Sequence, residues 1–487
     1  MLLTEQHLGY DVDGKGFMLE NKGKESIGFL IFISVVASMG GLLFGYDTVV
    51  IAGTISPVKV QFAMSDVMEG FFVSAALWGC ALGVAFSGCI ADISDKYGRK
   101  NTMIGSSVLL FVSALGCGVA PNVTILILAR FIGGVGVGLA SMASPLYISE
   151  VSPAHLRGRL VSLFQLTICI GILVAMYVNT RLQAYCETVA SQAGAGLWHL
   201  IFVKEVWRGM FATEILPALA FLLLCLTIPK SPRWLVTKGR IDDASSILKR
   251  IRGNATIAES EMSEISETVS HESGSAMQLL HPGLRKALFI GLFLAIFSEL
   301  SGITIVMYYG PSILEKAGFT MGGSLTGHFT IGVVLTVFTM IAVWLIDIVG
   351  RRPLMLVGNA GAFIGLVAIG VLFSTGRSEG TALVVMMCLF VACFSFSLGP
   401  VKWVVMSEIF PTKIRGRAVA LATLALWMTD VCLNHLFPII RDRLGVEANF
   451  FLFACFLVPQ FFFVWKIMPE TKGRSLEEIE QSWTEQK

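Results

Sequence analysis

The stretch Ser149-Glu-Val-Ser-Pro-Ala-His-Leu-Arg-Gly-Arg159 occurs a second time in the chain, as Ser407-Glu-Ile-Phe-Pro-Thr-Lys-Ile-Arg-Gly-Arg417. Six of the eleven positions are identical, and the two copies lie 258 residues apart. A second pair, Asp95-Lys-Tyr-Gly-Arg-Lys100 and Asp347-Ile-Val-Gly-Arg-Arg352, repeats at a separation of 252 residues. These repeats predict a duplicated unit, the arrangement that two bundles rocking about a central site require.

The composition of the chain indicates that this unit lies in a membrane. Of the 487 residues, 55% are hydrophobic and 14% are charged, against about 25% charged in an ordinary soluble domain. The mean hydropathy is +0.74, and the net charge is only +2. These values exclude a soluble enzyme, a disordered chain and a nucleic-acid-binding protein, because polar surface and a basic field are both missing.

Twelve apolar runs are long enough to cross about 30 Å of hydrocarbon. They must be helical, since lipid offers no partner for an open strand edge. The predicted fold class is an all-α integral membrane protein with twelve transmembrane helices in two pseudo-symmetric six-helix bundles. The runs are roughly 28–54, 67–91, 101–120, 123–147, 159–182, 208–228, 285–310, 325–346, 353–374, 381–407, 416–440 and 448–468.

Lys and Arg residues are divided unevenly between the two sides of these runs. The side that holds both termini carries 26 of them and the other side carries 8, so both termini are predicted to be cytoplasmic. The polar stretch 229–284 separates the first six runs from the last six. We therefore predict an N-terminal tail and bundle over 1–228, a cytoplasmic linker over 229–284 with a surface helix at Asp242–Arg252, and a C-terminal bundle and cytoplasmic tail over 285–487.

Six short stretches, in this order along the chain, carry a likeness to a known family: Gly40–Asp47, Asp95–Lys100, Arg130–Gly134, Pro229–Leu235, Gly399–Trp403 and Pro469–Gly473. Through them the chain resembles the sugar porter family of the major facilitator superfamily, and within it the bacterial proton-coupled xylose and arabinose symporters. The resemblance implies the major facilitator fold. It also implies a secondary active transporter that moves a sugar or polyol by alternating access, in symport with protons, in a bacterial inner membrane.

Five ionisable side chains lie well inside the apolar runs, where an ionised group costs at least about 2.5–3.5 kcal/mol; they are Asp47, Arg130, Glu299, Lys402 and Asp430. Arg130 favours the ionised form of Asp47, while desolvation favours the neutral acid. Because opening the site to one side and then the other changes both effects, Asp47 could bind and release protons. A permanent buried salt bridge, in a passive uniporter, is the alternative. The resemblance favours proton coupling by Asp47 and Arg130, and it implies a structural role for Glu214, nearer a span end.

The substrate site is expected between the bundles, near the middle of the membrane. The resemblance assigns to it Phe44, Gln165, Tyr308, Trp403 and Trp427. On the seventh helix this chain has Ser298, Glu299 and Thr304 where the family signature has amide side chains. Asp430 replaces a family Asn, and Ile172 and Leu426 stand where the family has two further amides.

Two interpretations of these departures stay open. In the first, Lys402 pairs with Glu299 or Asp430, and the remaining negative charge binds a cation-bearing solute or a second proton. Otherwise Lys402 faces away and the solute is a neutral sugar or polyol. A membrane sugar sensor is a further, minor alternative.

The repeated loop motifs predict charge clusters that close the cytoplasmic side when they form and open it when they break. Bending is expected at Gly302 and at Gly310-Pro311 in the seventh helix, and at Gly399-Pro400 in the tenth. The predicted gate residues are Asp95, Arg99, Glu150, Arg157 and Arg159, with Asp347, Arg351, Arg352, Glu408, Arg415 and Arg417 in the second half.

No cofactor or metal is predicted. The seven His are scattered without ligand spacing, and the near P-loop at Gly9–Gly16 lacks the Ser or Thr that holds magnesium. The sequence offers no nucleophile–base set, so an enzyme is not predicted. The expected partners are a small sugar-like solute, protons and the lipid bilayer, with no nucleic acid, and we expect a monomer.

Overall fold

The computed structural model describes residues 16–89, 93–189, 196–270, 284–378, 380–410 and 415–472. Within them, twelve helices are long and apolar enough to cross a membrane, which confirms the twelve predicted spans. Numbered spans 1 to 12, they are Ile27–Gly53, Asp66–Ser87, Arg99–Val119, Val123–Val151, Leu156–Val189, Val206–Thr227, Arg285–Lys316, Met321–Val349, Arg351–Ser374, Thr381–Ile409, Gly416–Leu444 and Val446–Lys466.

Ten α-helices build the first half. They are α1 (Gly16–Val50), α2 (Ile55–Gln61), α3 (Asp66–Val84), α4 (Ile93–Tyr97), α5 (Arg99–Val119), α6 (Val123–Val151), α7 (Ala154–Val189), α8 (Leu197–His199), α9 (Val206–Ala212) and α10 (Ile215–Thr227).

Three shorter helices follow, α11 (Pro232–Thr237), α12 (Ile241–Arg252) and α13 (Ala255–Ser270), and then the second half. Its helices are α14 (Arg285–Leu300), α15 (Ile303–Lys316), α16 (Met321–Val349), α17 (Arg351–Ser374), α18 (Thr381–Phe396), α19 (Leu398–Ile409), α20 (Arg415–Leu444) and α21 (Val446–Lys466).

Small residues bring the spans of each half into backbone contact. A Cβ on Gly79 would collide with the carbonyl oxygen of Phe131, and a Cβ on Gly134 would collide with that of Ala76. Helices α3 and α6 therefore pack at a distance that only glycine permits. The small-xxx-small spacing of Gly79/Gly83 and Gly134/Gly138 is typical of spans that pack this closely.

The two halves meet along two helix pairs, α3 with α20 and α7 with α16. Near the predicted external ends, a Cβ on Gly70 would collide with the His435 carbonyl oxygen. The rings of Phe71 and His435 lie 4.4 Å apart there. The halves are thus packed tightly at this end of the interface.

Spans 7 and 10 are interrupted helices. Span 7 breaks between α14 and α15 at Gly302, whose φ of +81° is a conformation that favours glycine. Span 10 breaks at Ser397, two residues before the Gly399-Pro400 pair. At Gly310-Pro311, helix α15 continues through Pro311, and the bending expected there stays a prediction. Both breaks fall near the middle of their spans, where interrupted helices of transporters place their solute and ion sites.

The three short helices between spans 6 and 7 form a small cluster beside the predicted cytoplasmic ends. Trp234, Leu248 and Met262 pack together in its core. The Trp234 indole donates a hydrogen bond to the Asp95 carbonyl oxygen at 2.8 Å, and Arg252 donates to that of Val151 at 3.0 Å. The predicted surface helix is present as α12, and this cluster is attached to the first half.

Replacing Gly302 by Ala should destabilise the protein, since its Cβ would overlap the Phe453 ring and its positive φ would be strained. Such strain costs about 1–3 kcal/mol, so we expect a lower Tm in detergent. The matched control is Gly105→Ala, where a Cβ meets nothing within 4 Å. Equal melting temperatures for the two variants would contradict this account of the break.

Candidate functional site

A buried ion pair joins spans 1 and 4. The Arg130 guanidinium donates to Asp47 Oδ1 at 2.7 Å and to the Asp47 carbonyl oxygen at 3.1 Å. Asp47 is 0% exposed and Arg130 is 1% exposed. Helices α1 and α6 pack against each other, so two charges that lipid would not tolerate singly neutralise one another.

A third ionisable group, Glu214, lies beside this pair. Glu214 is buried at the junction of α9 and α10, and its carboxyl is within hydrogen-bonding reach of Asp47. Span 6 begins at Val206, eight residues before Glu214, and its helix is interrupted at Glu214, which lies beside Asp47. Asp47, Arg130 and Glu214 are called the N-terminal cluster below.

The second half contains a comparable group, the C-terminal cluster of Glu299, Lys402 and Asp430. The Lys402 ammonium forms a buried ion pair with Glu299. Asp430 accepts a hydrogen bond from Thr304 Oγ1 at 3.0 Å and lies within reach of the Glu299 carboxyl. All three charged residues are less than 5% exposed. This is the first of the two open arrangements, in which Lys402 does not face away.

The clusters face each other across the interface between the halves. Buried Tyr308 lies within electrostatic range of Asp430 on one side and of Asp47 and Arg130 on the other. Cys80, on α3, lies within range of the same three charges. The polar centre of the molecule is therefore continuous from one half to the other.

Aromatic side chains from both halves close around this centre. The rings of Phe44 and Trp427 lie 5.6 Å apart, one in each half. Trp427 Nε1 and Ser298 Oγ are buried and have no hydrogen-bond partner among the described residues. Gln165 is half-buried, while Trp403 is 37% exposed. A solute with hydroxyl groups could supply the partners that these donors lack, at a net gain of about 0.5–1.5 kcal/mol for each hydrogen bond.

Each repeated loop motif forms a charge cluster within its own half. In the first half Arg99 pairs with Asp95 and, at 3.0 Å, with Glu150. In the second half Arg351 pairs with Asp347 at 3.1 Å and with Glu408 at 2.8 Å. The equivalence of the two sets follows the duplication read from the sequence.

The remaining predicted gate residues differ in their surroundings. Arg157 and Arg159 are exposed and form no ion pair with another described residue. Arg352 donates to the Val464 carbonyl oxygen at 3.2 Å, and Arg417 is exposed. The side chain of Arg415 lies outside the described part of the chain, as do residues 1–15 and 473–487 of the predicted tails.

Glu470 adds an acidic group that the motifs did not predict. Its carboxylate accepts hydrogen bonds from the backbone N–H groups of Arg351 and Arg352 at 3.1 and 2.9 Å. Burial by itself would raise the pKa of Glu470, but the N–H groups of Lys472, Arg352 and Arg351 outweigh it and hold the pKa below its usual value. Glu470 thus caps the start of α17.

On the predicted external face, an ion-pair network joins the two halves. Arg441 of α20 binds both carboxylate oxygens of Glu69 in α3, at 2.8 and 3.0 Å. Lys59 bonds to Glu69 at 2.5 Å and to Asp66 at 2.6 Å. Glu69 is 0% exposed. This external network, Lys59, Asp66, Glu69 and Arg441, holds the halves together at one end of the molecule.

Lys59 of the external network is charged at neutral pH. Burial lowers the pKa of Lys59, but its hydrogen bonds to Asp66 and Glu69 outweigh burial and raise the pKa above the usual value. A cavity of about 280 Å³ lies beside the network and is lined partly by Ser312. The sequence did not predict this network, because Glu69 and Arg441 fall at the edges of the predicted spans. The available signal was a pair of opposite charges at the ends of spans 2 and 11.

Twelve spans in two related halves, with interrupted helices and paired charges where the halves meet, define a secondary transporter of the major facilitator class. The family model described as "Sugar (and other) transporter" matches residues 33–483. The chain belongs to this family of transporters, which work by alternating access.

Individual relatives cover almost the whole chain. The arabinose-proton symporter of Bacillus subtilis is 40% identical over 459 residues, covering 94% of this chain and 96% of its own length. The D-xylose-proton symporter of Escherichia coli K12 is 36% identical over 487 residues, covering 93% and 96%. The partially occluded, inward-open structure of the E. coli xylose transporter XylE has a TM-score of 0.79 at 34% identity, covering 92% of this chain and all of that one.

Replacing Arg441 by Gln should open the external face. Removing one partner of a buried ion pair costs about 3–5 kcal/mol. The substitution therefore destabilises the state in which the external side is closed, because Glu69 loses its bidentate partner in that state. In a Ser312→Cys background, we expect a membrane-impermeant maleimide to react at least about tenfold faster.

The matched control is Arg443→Gln, two residues away with an exposed side chain, and it should leave the labelling rate unchanged. Equal rates for the two variants would show that Arg441 does not hold the external face shut.

Proposed function

We propose that this protein is a symporter that carries a neutral sugar or polyol together with protons. The named relatives are symporters of arabinose and of D-xylose with protons, which makes pentoses the first solutes to test. The observation that carries the proposal is the N-terminal cluster, because a coupled carrier needs an acid whose proton affinity changes as the halves move.

The N-terminal cluster supplies such an acid. Arg130 binds Asp47, and the carboxyl of Glu214 adjoins it; two carboxyls within hydrogen-bonding reach need one proton between them. With that proton, the cluster of one cation and two acids is neutral. When movement of spans 1 and 4 draws Arg130 away, Asp47 loses its compensating charge and takes up a proton instead.

The solute is proposed to lie between Trp427, Phe44 and Gln165, where unpaired donors meet aromatic faces. Lys402 and Glu299 neutralise each other and so leave no free cation for a sugar acid. A neutral solute then requires that the remaining acid of that cluster binds a proton. The third charge of that cluster, Asp430, supports an amine-bearing solute as the second candidate. Competition by amino sugars against labelled pentose distinguishes the two.

The orientation follows from the charge distribution of the loops. We propose that both termini face the cytoplasm of a bacterial cell, and that the motif clusters of Arg99 and Arg351 bias the opening of that side. The three short helices over 232–270 then belong to a cytoplasmic linker between the two bundles. The protein is proposed to act as a monomer and not as an enzyme.

Replacing Asp47 by Asn should abolish uphill accumulation and retain exchange. The amide keeps the shape of the carboxyl but binds no proton, so the solute only equilibrates. With one proton, 100 mV of membrane potential supports roughly fiftyfold accumulation. Uptake of labelled D-xylose and L-arabinose into proteoliposomes with an imposed proton gradient measures both activities.

Asp243→Asn is the control, because Asp243 is exposed and pairs only at the surface with Arg240. It should accumulate solute like the unmodified protein. A D47N protein that still concentrates sugar under a proton gradient would remove Asp47 from the coupling mechanism.

Replacing Trp427 by Phe should weaken solute binding. The change keeps the ring beside Phe44 and removes the indole N–H, whose net hydrogen bond is worth about 0.5–1.5 kcal/mol. We expect the apparent KM for the transported sugar to rise about two- to tenfold. Trp465→Phe, at a side chain 49% exposed at the far end of span 12, is the matched control; equal KM values in both variants would place the solute elsewhere.

A further inference from the structure

The C-terminal cluster repeats the chemistry of the N-terminal cluster. Each contains one buried cation and two buried carboxyls, and in each the cation is paired with one acid while the second acid adjoins the first. The paired residues lie on spans 1 and 4 in one half and on spans 7 and 10 in the other. These spans correspond in a duplicated six-helix unit.

The sequence spacing agrees with this correspondence. Asp47 and Glu299 are 252 residues apart, as are the repeated Asp95 and Asp347. An acid thus occurs at equivalent positions of the first helix of each half. The cations Arg130 and Lys402 share the equivalent helix but not the same depth along it.

The charge of the C-terminal cluster balances only with a bound proton. Lys402 and Glu299 together are neutral, so an ionised Asp430 would leave one uncompensated negative charge in a site less than 5% exposed. Such a charge costs at least about 2.5–3.5 kcal/mol at membrane depth. The carboxyls of Glu299 and Asp430 are also within hydrogen-bonding reach, and two carboxylates can share a hydrogen bond only when one of them is protonated.

The proton belongs to Asp430 and not to Glu299. Lys402 forms its ion pair with Glu299, so Asp430 is the acid of this cluster that has no ion pair among the described residues. Asp430 then donates to Glu299 and accepts from Thr304 Oγ1 at 3.0 Å. Tyr308 and Cys80 also lie near Asp430, and neither carries a positive charge.

We propose that Asp430 is a second proton-binding site, and that the transporter moves two protons with each solute molecule. The proposal rests on the proton-coupled function proposed above. The breaks at Gly302 and Ser397 let spans 7 and 10 move against span 11; Asp430 then parts from Glu299, and its O–H bond breaks to give a hydrated carboxylate and a proton in water. Reprotonation from the other side resets the cluster.

The protonation itself is tested without any solute. Infrared difference spectra of the purified protein in proteoliposomes report the C=O stretch of protonated carboxyls. Asp430→Asn removes the proton-carrying acid, and Glu299→Gln lets Asp430 pair with Lys402 and ionise, so both variants should lose one band. Asp47→Asn and Asp243→Asn should retain that band. If D430N and E299Q both keep every carboxyl band, the second site does not exist.

Stoichiometry is tested by the dependence of pentose accumulation on the proton-motive force, using D-xylose and L-arabinose. Two protons at 100 mV support accumulation on the order of two thousandfold, against roughly fiftyfold for one. We expect the unmodified protein and D243N to follow the two-proton slope, and D430N and E299Q to follow the one-proton slope. E299Q keeps Asp430 itself, so it tests the charge balance even where D430N folds poorly.

The outcomes separate this inference from the proposed function. A one-proton slope that D430N and E299Q leave unchanged overturns the second site and leaves proton-coupled transport in place. Accumulation that no proton gradient drives overturns the proposed function, and the two-proton stoichiometry with it. Amine-dependent uptake that D430N abolishes, with no change in the carboxyl bands, would assign Asp430 to a cationic solute instead.

Discussion

The structure depends on one constraint: an ionised side chain inside a membrane must be paired or it must not be ionised. Asp47, Arg130 and Glu214 satisfy this constraint in one half, and Glu299, Lys402 and Asp430 satisfy it in the other. Both sets lie where the halves meet, on helices that move relative to each other in alternating access. Any opening of the interface therefore changes charge balance, and protons are the smallest ions that can restore it.

The two ends of the molecule are held in different ways. At the predicted external face the Glu69–Arg441 contact crosses from one half to the other. At the opposite face the pairs of Arg99 and Arg351 stay within their own halves. Separating the external ends of the two halves breaks a buried, bidentate ion pair. The motif clusters at the other end join only residues of the same half. The described state is thus closed at the predicted external face.

Interrupted helices connect these charges to movement. Glu299 precedes the break in span 7 and Thr304 follows it, and Lys402 follows the break in span 10. A helix that is broken beside a charged group lets that group shift without unwinding the rest of the span. Glu214 lies at a comparable junction in span 6. Glu214, Glu299 and Lys402 thus lie beside helix breaks, whereas Asp47, Arg130 and Asp430 lie inside continuous helices.

The sequence by itself determined the twelve spans, the duplication, the family resemblance and the intramembrane charges, because hydrophobic length, repeated motifs and charge are local properties of a chain. Only the tertiary structure decided which charges meet. Glu214 joined Asp47, Lys402 paired with Glu299, and Glu69 met Arg441 at residues 372 positions apart. It also showed that Gly302 breaks span 7 while Pro311 does not. Such pairings depend on how helices pack, and the linear order of residues does not specify it.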